Sequence, residues 1–261
     1  MRKPKIWWLT GIFLVALCVV TLAEEKWSES KSSHFIVYYK DAPQDFIENV
    51  LNAAEDYYRS ITSDLGFTRF GSWSWDYRCK IYIYKDAEEY KKVTGQPEWS
   101  SGVTAYQEKT ISTYPLAAGF FDTLLPHELG HIIFREFVGF NADVPLWMDE
   151  GVASYQERAR RWGSNQKVRE AIKNNMFIPL NELSRRALSS ADKDTVELFY
   201  AEAASVVYYL ITTFGRFKFE NFCEELKSGK PFEQALASAY VRFDNLADLE
   251  KAWKGYLQNE E

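Results

Sequence analysis

Two of the three histidines in this 261-residue chain stand four positions apart, in "LLPHELGHIIFREF" (residues 124–137). Residues four apart on an α-helix share a face, with Cβ atoms about 5–6 Å apart. His127 and His131 can therefore present ring nitrogens to one metal ion. Glu128 falls one step round the helix, near enough to take a proton from a water at the ion without binding the ion itself. Zinc in a catalytic site takes three protein ligands and keeps one position open, so a third ligand must come from elsewhere. "VPLWMDEGVASYQE" (residues 144–157) offers Glu150, 19 positions beyond His131. A loop over 138–144 separates the two stretches. Pro145 can open a second helix that returns antiparallel to the first and sets one carboxylate beside both imidazoles. The pattern predicts one zinc ion held by His127, His131 and Glu150.

These residues need rigid elements to hold them. Asp122 is the expected N-cap of the first helix, Pro126 suits its first turn, and Gly139 is its stop. Gly130 is costly inside a helix, by about 1 kcal/mol relative to alanine, which predicts close approach of another backbone. Asp149 is expected to be an ordinary first-turn acid of the second helix, with support of a ligand imidazole as the other reading. Upstream, "SSHFIVYY" (32–39) and "CKIYIYK" (79–85) read as strands, rich in aromatic and β-branched residues. The apolar spacing after Pro43 is helical and closes at Gly66, and "AEEYKKVTG" (87–95) is a short helix. "GVTAYQ" and "TISTY" flank a polar turn and predict a hairpin. Everything after Phe120 reads as helix. The expected fold is α+β: an α/β lobe over 24–115 with a mixed or antiparallel sheet, then an all-helical lobe over 116–261. No linker separates them, so 24–261 is expected to be one domain.

Composition sets limits on function. With 46% hydrophobic and 26% charged residues, the chain is an ordinary globular protein. Its start is different. "MRKPK" precedes the apolar run "IWWLTGIFLVALCVVTLA" (6–23), and "EEKWSES" follows. This charged–apolar–small layout predicts export, with residues 1–23 either cleaved as a signal peptide or kept as a membrane anchor. That segment is the only expected contact with a membrane. Without its three cations, 28 Lys plus Arg face 37 Asp plus Glu, a net charge of −9. Such a body repels nucleic acid. Cys79 and Cys223 either pair in an oxidising compartment or stay as separate buried thiols. His34, in a strand far from the motif, reads as structural. The Trp-rich "GSWSWDYR" (71–78) reads as a loop packed by its own aromatics, with a binding surface as the other reading.

"PHELGHIIF…PLWMDEGVASY" resembles the gluzincin metallopeptidases and, more narrowly, the bacterial peptidase MA-like family. "YAEAASVVYYLITTFG" and "LADLEKAWKGYL" are similar to that family's helical half. The resemblance covers about residues 100–260. It implies a zincin-like fold and hydrolysis of peptide or protein substrates, with His127, His131 and Glu150 as zinc ligands and Glu128 as general base. It also implies Tyr200, in "FYAEAAS", as the donor to the developing oxyanion. In zincins an edge strand before the zinc helix pairs with extended substrate; the residues in that place are Ile111, Ser112, Thr113 and Tyr114. One departure matters. Zinc aminopeptidases of this spacing carry a GxMEN segment, and here the region reads "SGVTAYQEKTISTYP". Its lack points to endopeptidase action. The rival readings are a catalytically inactive zinc-containing scaffold or chaperone, and a wall-binding module of the cell envelope. A purely structural zinc site would have no use for Glu128.

Overall fold

The four strands signalled in the first lobe join a fifth in one mixed sheet. The structure, a computed structural model, describes residues 26–67, 73–98, 100–115, 117–185 and 191–259. Residues 1–23, the segment expected to direct export, lie outside the described residues, as do Gly71 and Ser72 of the Trp-rich loop. The strands are β1 (Ser28–Lys31), β2 (Phe35–Tyr39), β3 (Cys79–Ile83), β4 (Gly102–Ala105) and β5 (Thr110–Thr113). Their order is β1-β2-β3-β5-β4. The inner pairs β2–β3 and β3–β5 are parallel, and the outer pairs β1–β2 and β4–β5 are antiparallel. The buried faces carry Phe35, Val37, Ile81, Ile83 and Ile111.

Helix α1 (Gln44–Leu65) buries Ile47, Val50, Leu51, Ala54 and Ile61, one stripe at helical spacing. It ends at Gly66 with φ +81°, the left-handed turn glycine adopts without strain. Helix α2 (Ala87–Thr94) is capped by Asp86. The second lobe contains α3 (Leu125–Val138), α4 (Leu146–Gln156), α5 (Arg158–Lys173), α6 (Leu180–Leu183), α7 (Lys193–Phe214), α8 (Arg216–Lys227), α9 (Phe232–Ala239) and α10 (Leu246–Asn259). One buried apolar cluster runs from Phe35 of β2 to Leu257 of α10. Among the described residues, no helix is long and apolar enough to cross a membrane.

Three local expectations change. Asp122 does not cap the first motif helix. A wide helical turn over Phe120–Leu124, opened by Gly119 at φ +68°, feeds straight into α3, so there is no free helix end at Asp122 to cap. Strand β1, "SESK", had no sequence signal because it is polar on both faces. Strand β5 is not an edge: β3 pairs one side of it and β4 the other. Backbone groups of Ile111, Ser112 and Thr113 are therefore committed to the sheet, and Tyr114 packs against Tyr90 with ring centroids 5.4 Å apart. The exposed edge at this end of the sheet belongs to β4.

The Trp-rich loop is packed by its own aromatics in part. Trp73 is buried edge-on to Phe35 and beside Tyr58, and its indole donates to Glu136. Trp75 and Tyr77 remain exposed. His34 bonds Glu55 at 2.7 Å and stacks on Tyr58, the structural role expected. Cys79 and Cys223 are separate buried thiols, each pushed up by burial.

Candidate metal centre

Helices α3 and α4 build the centre by packing antiparallel at close range. A Cβ on Gly130 would lie 2.9 Å from Cα of Ala153. Only a residue without a side chain lets the backbones meet there, as its position in the motif predicts. Gly151 plays the same part on the far face of α4. A Cβ there would sit 2.5 Å from the carbonyl oxygen of Ala203 in α7. Glycines at 130 and 151 thus let α4 lie between α3 and α7, and its position fixes Glu150.

His127, His131 and Glu150 come together. The two Nε2 atoms are 3.1 Å apart, and Oε2 of Glu150 lies 3.5 Å from each. Zinc–nitrogen and zinc–oxygen bonds of about 2.0–2.2 Å in tetrahedral geometry separate donor atoms by about 3.3–3.6 Å. The observed triangle fits an ion of that size. Among the described residues, this is the only group of three such side chains able to hold a metal. Oε2 of Glu150 is buried without a hydrogen-bond partner, a cost that a cation in the triangle would remove.

Each imidazole is held from behind. Nδ1 of His131 donates to Asp149 at 3.1 Å, and Arg135 donates to the other oxygen of that carboxylate at 2.9 Å. Nδ1 of His127 donates to Glu157 at 2.8 Å, and Arg160 donates to Glu157 at 2.9 Å. Both Nδ1 atoms are thereby committed, and both Nε2 atoms turn toward Glu150. Asp149 is therefore not an ordinary first-turn acid. It orients the His131 imidazole, because helical geometry puts it opposite His131 when Glu150 faces the gap between the rings. Glu157 and its arginine were missed. Glu157 lies just past the end of α4, and nothing local marks it.

The electrostatics favour positive charge in the triangle. Burial alone would lower the His131 imidazole, but Asp149 and Glu150 outweigh it and push it up to about 10. His127 is raised too, against burial, by Glu150 and Glu157. Burial would raise Glu150, but the two imidazoles hold it down at about 2.

A cleft of about 690 Å³ opens beside the triangle, lined by His127, Glu128, Tyr200, Gly102 and Arg160 among others. Strand β4 borders it. A Cβ on Gly102 would meet the Leu124 side chain at 2.6 Å. At the other end Tyr106 lies 5.2 Å from His131, ring to ring, and Lys109 of the hairpin turn bonds Glu136 of α3 at 3.0 Å. The hairpin is thus pinned along α3. Tyr200, half-buried on α7, has its ring 6.3 Å from that of His127. The Arg160 guanidinium sits over it at 4.9 Å. Burial, then the Glu150 carboxylate, pushes the Tyr200 phenol up to about 12, so it stays a neutral O–H donor at ordinary pH.

The chain matches the model of the Peptidase MA superfamily from residue 74 to residue 259. No curated protein is similar enough in sequence to match. Among solved structures it is similar to yeast LTA4 hydrolase in complex with Bestatin, at 14% identity and a TM-score of 0.43. That alignment covers 90% of this chain and 37% of the other, so the chain spans little more than a third of that protein's length. The fold is α+β, as expected: a mixed sheet, then a helical lobe carrying HELGH on one helix and Glu150 on the next. With the family match covering well over half its length, the chain belongs to the Peptidase MA superfamily.

Proposed function

We propose that this protein is a zinc-dependent peptidase of gluzincin type that cuts within peptide or protein chains. The observation that carries the reading is the donor triangle: two Nε2 atoms 3.1 Å apart, each 3.5 Å from one unsatisfied carboxylate oxygen. Glu128 opens onto the same cleft. Zinc held there by His127, His131 and Glu150 would supply Lewis acidity, lowering the pKa of a water toward about 7 and polarising the scissile carbonyl. The residues do the rest. Glu128 accepts the proton as the water oxygen bonds to the carbonyl carbon. It returns that proton to the nitrogen as the C–N bond breaks. Tyr200 donates its O–H to the oxygen that gains charge. The free edge of β4 offers backbone partners to an extended substrate. The missing GxMEN segment removes the usual anchor for a substrate N-terminus, which supports internal cleavage. The layout of residues 1–23 supports export, either free outside the cytoplasm or anchored in the membrane.

Glu128→Gln tests the reading. Glutamine keeps the shape but cannot take the proton. Zinc should stay bound at one ion per chain while peptide hydrolysis falls by about 10²–10⁴-fold. Equal hydrolysis by variant and wild type would remove Glu128 from the mechanism. No hydrolysis of a broad peptide library by either, at matched zinc, would favour an inactive zinc scaffold.

A further inference from the structure

One end of the cleft carries cations that the chemistry above does not use. The exported part of the chain has a net charge of −9, yet Arg160, Lys193 and Lys167 gather beside the metal triangle. Arg160 and Lys193 line the cleft itself. Lys167 lines a depression that shares Thr123, Glu157, Arg160 and Glu197 with it. Two carboxylates lie among them: Glu157, which Arg160 bonds, and Glu197. Glu197 pairs with Lys167 at 3.2 Å and its carboxyl is held low, first by Lys167 and then, against slight burial, by Arg160 and Lys193. Three cations thus face two acids.

Two of the three have unused capacity. Nε of Arg160 bonds Glu157, and its face covers the Tyr200 ring. A guanidinium has five N–H donors in one plane, so its terminal nitrogens remain. Among the described residues, neither those nitrogens nor Nζ of Lys193 has an ion-pair or hydrogen-bond partner. A lysine at 160 could neutralise Glu157 but not also present a fork to a second carboxylate. The arrangement suits an anion arriving with the substrate.

We propose that the cleft selects peptides bearing a carboxylate, which Arg160 and Lys193 bind beside the scissile bond. This rests on the peptidase reading. The carboxylate belongs either to an Asp or Glu side chain or to the substrate's C-terminus. Its chemistry is the same in both cases: a planar anion taking a forked pair from arginine and a point charge from lysine.

Synthetic peptides of one sequence test it, with Glu or Gln at each position in turn and a free or amidated C-terminus. Wild-type protein should prefer one acidic form by about 10-fold or more in kcat/KM, the scale of a charge-assisted contact. Glu over Gln in amidated peptides assigns the side chain; free over amidated assigns the C-terminus. Lys193→Glu should abolish the preference. Lys92→Glu, an equal charge change on an exposed face of α2, should leave it. The same peptides are titrated calorimetrically into zinc-loaded Glu128→Gln protein. If the wild type cleaves but shows no acid preference, the proposal is overturned. An acid preference that survives Lys193→Glu overturns it as well. If the wild type cleaves nothing, tighter binding of the acidic peptide that is lost in Lys193→Glu keeps the carboxylate site while the peptidase reading falls. Equal binding overturns the site.

Discussion

His127 and Glu157, thirty positions apart, are joined by a 2.8 Å hydrogen bond from Nδ1 to Oε1. Glu157 is buried, and Arg160 neutralises it from the other side. The bond fixes which nitrogen of His127 faces the triangle and how its ring is turned. Glu157→Ala should therefore weaken zinc binding by about 10–100-fold, the usual effect of losing a residue that orients a metal ligand. Glu157→Gln retains an acceptor and should lose less. Competition against a fluorescent zinc chelator measures both. Affinities within twofold of wild type would show that the ring needs no support from Glu157.

Removing Glu150 should be more severe. Glu150→Ala leaves two imidazoles and takes away the only anion in the triangle, so zinc affinity should fall by orders of magnitude. The helices should persist, since α4 is held by Trp147, Met148, Val152 and Ala153, all fully buried. Zinc content after dialysis against a chelator, with circular dichroism alongside, checks both halves. One zinc per chain retained by the variant would refute the assignment.

The contrast between Glu150 and Glu157 marks what the sequence carries. His127, His131 and Glu150 were legible because a four-residue spacing has one meaning on a helix, and Pro145 fixes where the return begins. Gly130 was legible for the same reason: a glycine kept inside a helix signals a neighbour. Glu157 and Arg160 were not, and Asp149 could be read either as a first-turn acid or as support for an imidazole, because all three depend on the rotation of α4 against α3, which packing with α7 decides. The β4–β5 hairpin was readable from its turn, yet not which of its strands pairs with β3. That choice lies in the pairing of β5 with β3, a contact between residues about thirty positions apart such as Lys80 and Thr110. The strand edge left open at this end of the sheet is thereby that of β4 and not Ile111–Tyr114.

Tyr200→Phe separates an oxyanion donor from a packing residue. The hydroxyl has no hydrogen-bond partner among the described residues, so its loss should leave Tm unchanged. The rate kcat should fall by about 10²–10³-fold with KM little altered, because one donor to the developing charge is lost in the transition state only. An unchanged kcat would assign Tyr200 to packing alone.

The glycine that seats α4 against α7 should tolerate no side chain. Gly151→Ala places a methyl 2.5 Å from the backbone oxygen of Ala203, and a backbone atom cannot swing away. Overpacking of this kind costs about 1–3 kcal/mol, and Tm should fall by several degrees. Gly255→Ala, in α10 with nothing within 4 Å of the new methyl, should instead gain up to about 1 kcal/mol of helix propensity. Thermal unfolding of the two variants side by side checks the opposed signs.

Protons and zinc should compete for the centre. In the zinc-free protein His131 is raised from an ordinary 6.5 to about 10. Its contribution to stability is therefore complete below about 6.5 and is lost as pH rises through 10. Glu150 is lowered from 4.5 to about 2. Its contribution is present above about 4.5 and is lost as pH falls through 2. Between about pH 4.5 and 6.5 both are in force, and the zinc-free protein should have its stability maximum from this pair there. Zinc needs the imidazoles deprotonated, so its affinity should rise with pH as the His131 proton becomes easier to displace. The stabilisation by zinc follows that affinity. Adding a chelator should accordingly lower Tm little at pH 5.5 and much more at pH 8.5. Thermal scans at the two pH values, at fixed total zinc, read the difference directly. A chelator effect equal at both, or larger at the lower pH, would mean that the two imidazoles are not the metal's ligands.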